Sequence, residues 1–206
     1  MKKKIGETGY KKTAFGIIPR SKLIPLEIEG IKRAWDFVLQ ENRKGKISIT
    51  PNLVKKLHEV GFAWIFPESG GKFRKIDVQV SRHTPPKFYF VPQLVSEFTK
   101  DLKTRMKHLP KIENRNFFDE LVSFLAWTHH RFLWIHPFQD YNGRIGRLLV
   151  NVILFNLDLP PIELKVETAA GRRKYIEALQ VADSGDYWNL EKIIRLALEE
   201  ATEGIK

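Results

Sequence analysis

From Glu27 onward, apolar side chains recur at helical spacing. Ile31, Trp35 and Val38 mark one helix, and Leu53, Val54, Leu57 and Val60 mark a second that Thr50-Pro51 opens and Gly61 closes. The period changes to two between Phe73 and Val91, where Ile76, Val78 and Val80 alternate with Asp77, Gln79 and Ser81. Thr84-Pro85-Pro86 then interrupts before Phe88-Tyr89-Phe90-Val91, which predicts a small β-hairpin. A lone two-stranded ribbon is marginal in water, so it must lean on the helices or bind something along its edge. Pro92 suits the first turn of a third helix that buries Leu94, Val95, Phe98 and Leu102 and turns Lys103, Arg105 and Lys107 outward. Two more stripes follow, one through Leu121, Phe124, Leu125, Thr128, Phe132 and Ile135 and one through Ile145, Leu148, Leu149, Val152 and Ile153. These are the most apolar elements and are expected at the centre. Ile176 and Leu179 mark a further helix, and Leu190, Ile193, Ile194, Ala197 and Leu198 the last. The expected fold class is mainly α, a single helical bundle carrying one small β-hairpin. Residues 1–25 mix Lys, Gly and Pro without periodicity and read as a loose arm.

Composition narrows the function. With 206 residues, 43% of them hydrophobic, the chain can bury one sizeable core, and wholesale disorder is excluded. The absence of cysteine rules out disulfides, thiolate nucleophiles and Cys-based metal sites. No apolar run approaches the roughly 20 residues of a bilayer-spanning helix, and the start lacks a secretory apolar stretch, so a soluble, unexported, cytoplasmic protein is expected. The formal charge is +11, but residues 1–22 carry seven basic side chains against Glu7, which places +6 in the arm. That arm reads first as a solvating segment, with non-specific nucleic-acid contact through residues 1–22 as the lesser reading and no membrane role.

The densest polar site is His136-Pro137-Phe138-Gln139-Asp140-Tyr141-Asn142-Gly143-Arg144-Ile145-Gly146-Arg147, between the two most apolar helices. It delivers side chains to the start of the helix beginning near Arg144, where unpaired N–H groups and the helix dipole favour an anion. Arg144 and Arg147, three apart, share a helix face and add two charges aimed at one place. A polyphosphate fits such a site. Asp140 can hold a magnesium ion bridging phosphate oxygens. Asn142 donates and accepts at short range, and Gly143 allows close backbone approach. His136 can take a proton from an incoming hydroxyl near neutral pH, while Phe138 anchors the loop in the core.

These residues resemble the Fic signature, H-P-F-x-D/E-G-N-G-R-x-x-R, with one departure. The resemblance extends to Ala126-x-x-His129-x-x-Phe132-x-x-Ile135 before the loop and to Leu148-Leu149-x-Asn151 and Pro160-Pro161 after it. Gly71-x-Phe73-Arg74 with Pro85-Pro86 sits where the family has its flap hairpin. It implies a Fic domain over residues 28–200, between a basic arm at 1–27 and a tail at 201–206. The implied activity is Mg-dependent transfer of AMP from ATP to a Ser, Thr or Tyr hydroxyl of a target protein. By position, His136 would be the base and Asp140 the magnesium ligand. Asn142, Gly143 and Arg144 would form the anion hole, Arg147 would contact the terminal phosphate, and the flap residues Asp77, Val78, Gln79, Val80 and Ser81 would clamp target backbone by strand addition.

The departure is Tyr141, where the family typically has Gly or another small residue. If that position needs positive φ, Tyr costs about 1–3 kcal/mol of strain and narrows the pocket. Slower transfer, a changed nucleotide preference and binding without catalysis are the three outcomes. Two other readings follow: a silent Fic domain acting as a nucleotide-binding regulator, and a Doc-like phosphotransferase, although such relatives carry Lys where Gly143 stands. An inhibitory S/T-x-x-x-E-G/N helix is not matched by Glu29-Gly30 or Glu203-Gly204, whose Ser/Thr positions are Pro25 and Glu199, so a separate antitoxin-like inhibitor stays open. His58, His83, His108, His129 and His130 read as core or surface histidines. Arg172, Arg173 and Tyr175 are left even between nucleotide contact and ordinary packing.

Overall fold

The computed structural model describes residues 10–166 and 168–203. The first nine residues of the expected arm, with Lys2, Lys3 and Lys4, and the end of the tail (204–206, with Gly204) lie outside the described residues. The chain folds as β1 (Tyr10–Thr13), β2 (Gly16–Pro19), α1 (Arg20–Asn42), α2 (Pro51–Phe62), α3 (Val91–His108), α4 (Phe117–Ile135), α5 (Asn142–Asn156), α6 (Ala169–Ala182) and α7 (Trp188–Glu203). The mainly helical architecture is as the hydrophobic pattern predicts; a small antiparallel sheet is present too, but it is β1–β2 rather than the segment 73–91.

The α4 and α5 helices form the centre, with Leu125, Phe132, Ile135, Ile145, Leu149 and Val152 all removed from solvent. Thr50 caps α2, its side chain accepting from the Leu53 N–H, and Pro51 takes the first helical position, as the sequence indicates. The α1 and α2 backbones touch at Gly30 and Gly61, where a Cβ on Gly30 would collide with the Gly61 carbonyl oxygen.

Two expectations are corrected. The arm is ordered from Tyr10: β1 and β2 pair in register from Tyr10–Pro19 to Thr13–Gly16, and α1 starts at Arg20 rather than near Glu27. Buried Leu23 extends the apolar stripe of α1 back across Pro25, a residue the sequence reading took as part of an aperiodic segment. The predicted hairpin over Phe73–Val91 does not form a ladder. Only the Val80–His83 bridge pairs there, and Phe88–Phe90 is a single 3-10 turn leading into α3. The Asp77 carboxylate accepts from the Phe88 N–H at 3.1 Å and pairs with Lys87 at 2.7 Å, so a side chain takes the place of cross-strand bonds, and Pro85-Pro86 removes two donors.

Candidate active site

Two left-handed residues bracket the loop between α4 and α5. His136 (φ 49) ends α4, its N–H bonded to the Phe132 carbonyl, and Pro137 blocks continuation of the helix. Tyr141 (φ 63) starts α5. Between them Asn142 staples the loop, its Oδ1 accepting from the Phe138 N–H and its Nδ2 donating to the Phe138 carbonyl, both at 2.9 Å. The Phe138 ring is fully buried and stacks on His58 with centroids 3.9 Å apart. His58 Nδ1 accepts from the Gly71 N–H, so its Nε2 is the protonated nitrogen and lies 3.3 Å from the Asp140 carbonyl. Burial lowers the His58 pKa to about 4, which keeps this tautomer neutral.

A cavity of about 410 Å³ opens beside the loop, within the range of small-molecule sites. His136, Gly143, Arg144 and Arg147 are among its lining residues, and Leu133, Val166, Ile176 and Leu179 give it apolar walls. His136 Nδ1 donates to the Leu133 carbonyl at 3.3 Å, which leaves Nε2 with its lone pair. Burial brings the His136 pKa down to about 4, with Arg74 and His83 adding to the effect, so the imidazole is neutral at pH 7 and able to accept a proton. Tyr175, also in the wall, has its hydroxyl 2.6 Å from His129 Nε2. Burial pushes the phenol up to about 12 against the opposing pull of the Arg147 guanidinium, and burial lowers His129 to about 3. His129 and Tyr175 are therefore both neutral. His130 Nε2 meets Asp183 Oδ1 at 2.9 Å, so the adjacent histidines face different partners.

The flap is tied to this loop by Arg74. Its buried side chain donates from Nε to the His136 carbonyl at 2.8 Å, from Nη1 to the Ile76 carbonyl at 3.0 Å, and from Nη2 to the carbonyls of Pro86 and, at 3.4 Å, Ile135. One guanidinium thus fixes both the flap and the left-handed turn that presents the imidazole. Arg74→Met is expected to leave these buried carbonyls without a donor and to destabilise the fold by about 3 kcal/mol. Thermal unfolding checks it, and a Tm unchanged within 2 °C would contradict this role.

The sequence model of the Fic/DOC family matches residues 48–154, slightly more than half of the chain. The chain belongs to the Fic/DOC family. Protein adenylyltransferase Fic of Aedes aegypti is 30% identical over 160 residues, 78% of this chain and 30% of the relative. The Culex quinquefasciatus protein of the same name is 31% identical over the same shares. The chain therefore spans about a third of the length of the curated relatives it matches. Among solved structures, Caenorhabditis elegans Fic-1 (residues 134–508 of that protein) aligns with a TM-score of 0.67 at 24% identity, over 86% of this chain and 49% of that one. BepC of Bartonella tribocorum, solved with bound AMPPNP, aligns at 0.69 and 14% identity over 94% and 93%. At these identities the structural likeness carries the Fic fold alone.

Within the Fic fold, the expected site residues fall into two groups. His136, Gly143, Arg144 and Arg147 share the cavity with the flap residues Val80 and Ser81. Asp77, Val78 and Gln79 are in the flap but outside that wall, and the Asn142 side chain is engaged within the loop. Asp140 faces a neighbouring cavity beside the hairpin, where its Oδ1 accepts from the Tyr141 N–H at 2.9 Å and its Oδ2 meets Lys11 Nζ at 3.4 Å. Among the described residues no three His, Asp or Glu side chains form a metal-binding group. A magnesium ion held mainly by phosphates and water needs only one or two carboxylates, and half-exposed Asp140 with a weakly held oxygen suits that chemistry. The Tyr141 ring does not enter the nucleotide-sized cavity: it is 9% exposed and stacks on Phe62 with centroids 4.0 Å apart.

Sequence reasoning missed Arg20, His83 and Asp183 in the wall and Glu27 behind it. Glu27 carried a signal all the same: it falls in register with Leu23, Gly30, Ala34 and Val38 on the buried stripe of α1, an acidic residue where an apolar one is expected.

Proposed function

We propose that this Fic domain transfers AMP from ATP to a hydroxyl side chain of a target protein. The observation that carries the reading is the convergence of a neutral, cavity-lining imidazole with Arg144 and Arg147 at the N-terminus of α5. In this step His136 Nε2 takes the proton from the hydroxyl as its oxygen attacks the α-phosphorus. The bond from that phosphorus to the bridging oxygen breaks, and pyrophosphate leaves. Arg144, Arg147 and the first N–H groups of α5 bind and orient the phosphates. Asp140, whose carboxylate faces the adjacent cavity and meets Lys11, would have to turn from that contact to hold a magnesium ion, which would supply charge neutralisation of the leaving pyrophosphate. The apolar walls at Leu133, Ile176 and Leu179 suit a flat heteroaromatic base. The flap at Asp77–Ser81 receives the target strand. The names of the curated relatives support the same activity.

Incubation with magnesium and ATP labelled at the α- or γ-phosphate tests this reading. Label from the α-position alone, on the chain itself or on proteins of a cell extract, is expected. Label from the γ-position would indicate a phosphotransferase, and tight ATP binding without label a silent regulator. The ring that motivated the silent reading lies outside the cavity.

A pH dependence follows from the histidines. The base form of His136 persists above a pKa of about 4, so labelling at limiting ATP should stay flat from pH 8 to pH 6. Stability behaves differently. His58, His129 and His136 have folded pKa values below the ordinary 6.5, so the unfolded chain binds more protons between about pH 6.5 and pH 4. Stability is therefore full above pH 6.5 and declines as pH falls through that window. Labelling that halves by pH 6.5 with an unchanged Tm would contradict the neutral-base assignment.

A further inference from the structure

A carboxylate sits behind the arginine end of the cavity without opening into it. Glu27, on α1, is fully buried and is absent from the cavity wall. Its Oε1 accepts from Arg20 Nη1 at 2.6 Å and from the Tyr141 hydroxyl at 2.9 Å, and its Oε2 accepts from Arg144 Nη2 at 2.7 Å. Both guanidiniums line the cavity. Among the described residues Arg144 Nη1 is buried and has no acceptor within the protein.

We propose that Glu27 is a positioning residue that turns Arg20, at the first turn of the same helix α1, into a further guanidinium for the phosphates and draws the Tyr141 ring out of their path. The inference rests on the nucleotide reading of the cavity and adds to it two residues outside the signature loop. One carboxylate between two guanidiniums leaves the cluster with a net charge of +1, while the charge-assisted bonds hold both forks in fixed orientation. The phenol reaches the same carboxylate with its ring stacked on Phe62 and outside the cavity wall. Glu27 is thereby distinguished from an inhibitory glutamate, because it fills none of the space a phosphate would take.

Two expectations separate this brace from simple Coulomb attraction. Glu27→Gln raises the charge of the cluster from +1 to +2, so attraction alone predicts tighter anion binding. Loss of orientation predicts weaker binding. The test is calorimetric titration of wild type, Arg20→Met, Arg20→Lys and Glu27→Gln with ATP, inorganic pyrophosphate and adenosine, with Tm measured for each. Arg20→Met is expected to weaken ATP and pyrophosphate about tenfold and adenosine less than twofold, with Arg20→Lys recovering most of the loss. Glu27→Gln is expected to weaken the two anions at least as much. Arg20 is half exposed, so its variants carry the test even if Glu27→Gln fails to fold.

Tighter pyrophosphate binding by Glu27→Gln, or unchanged binding by Arg20→Met, overturns the brace. If wild type labels targets from α-labelled ATP while Arg20→Met binds pyrophosphate normally, the brace alone fails. If wild type labels nothing but the variants lose anion binding as expected, the brace stands and the transfer reading fails. Wild type that binds neither anion overturns both.

Discussion

His136→Asn is expected to lower labelling from α-labelled ATP by at least about a hundredfold, the usual contribution of a positioned general base. Asparagine is the informative replacement because residue 136 has φ 49, a left-handed conformation that Asn adopts more readily than Ala. The Arg74 bond to the residue 136 carbonyl is to backbone and survives the change. ATP affinity should then stay within about twofold, since the phosphates are held by Arg144, Arg147 and the helix N-terminus, while the chemical step loses its proton acceptor. His136→Ala serves as the second variant. Labelling within tenfold of wild type in both would remove His136 from the mechanism, and equal losses of affinity and labelling would make it a binding residue instead.

The second large effect is on stability. Tyr141→Gly would restore the small residue typical of the family signature, and reasoning from the sequence alone makes it a candidate for increased activity. The structure predicts a loss. Removing a buried aromatic side chain costs about 3–5 kcal/mol, and releasing a left-handed non-glycine residue returns about 1–2 kcal/mol, so a net destabilisation of about 1–4 kcal/mol is expected. For a chain of this size that lowers Tm by roughly 2–16 °C. Tyr141→Phe separates the ring from the hydroxyl: it keeps the stack on Phe62, loses the bond to Glu27, and should cost about 1 kcal/mol. A Tyr141→Gly protein as stable as wild type and markedly faster would show that the ring obstructs the site.

Legibility varied with the range of the forces involved. Thr50-Pro51 announced the start of α2 because capping is settled within one turn. The α4 and α5 stripes were evident because helices buried on most sides repeat the signal over many residues. At 73–91 the same logic misled, since the alternation of Ile76, Val78 and Val80 is real but the Asp77 side chain and two prolines redirect the backbone bonds that a hairpin requires. The ordered β1–β2 pair escaped notice because four-residue strands are too short to show a period. Asp140 was legible as a candidate magnesium ligand from its place in the loop, whereas the turn held by His58 and Lys11, which directs its carboxylate to the adjacent cavity, was not.

The sequence by itself determined the helical class, the central pair of helices and the chemical inventory of the loop, because each depends on residues close together along the chain. Only the tertiary structure decided what stands behind that loop. The Tyr141 hydroxyl meets Glu27 across 114 residues, Arg144 meets Glu27 across 117, and Arg74 reaches the His136 carbonyl across 62. A periodic pattern says which face of a helix is buried but not what faces it. The partner of a buried charge is chosen by how the helices pack, and here that packing turns a bulky tyrosine away from the cavity and brings arginines from three helices, α1, α5 and α6, to its wall.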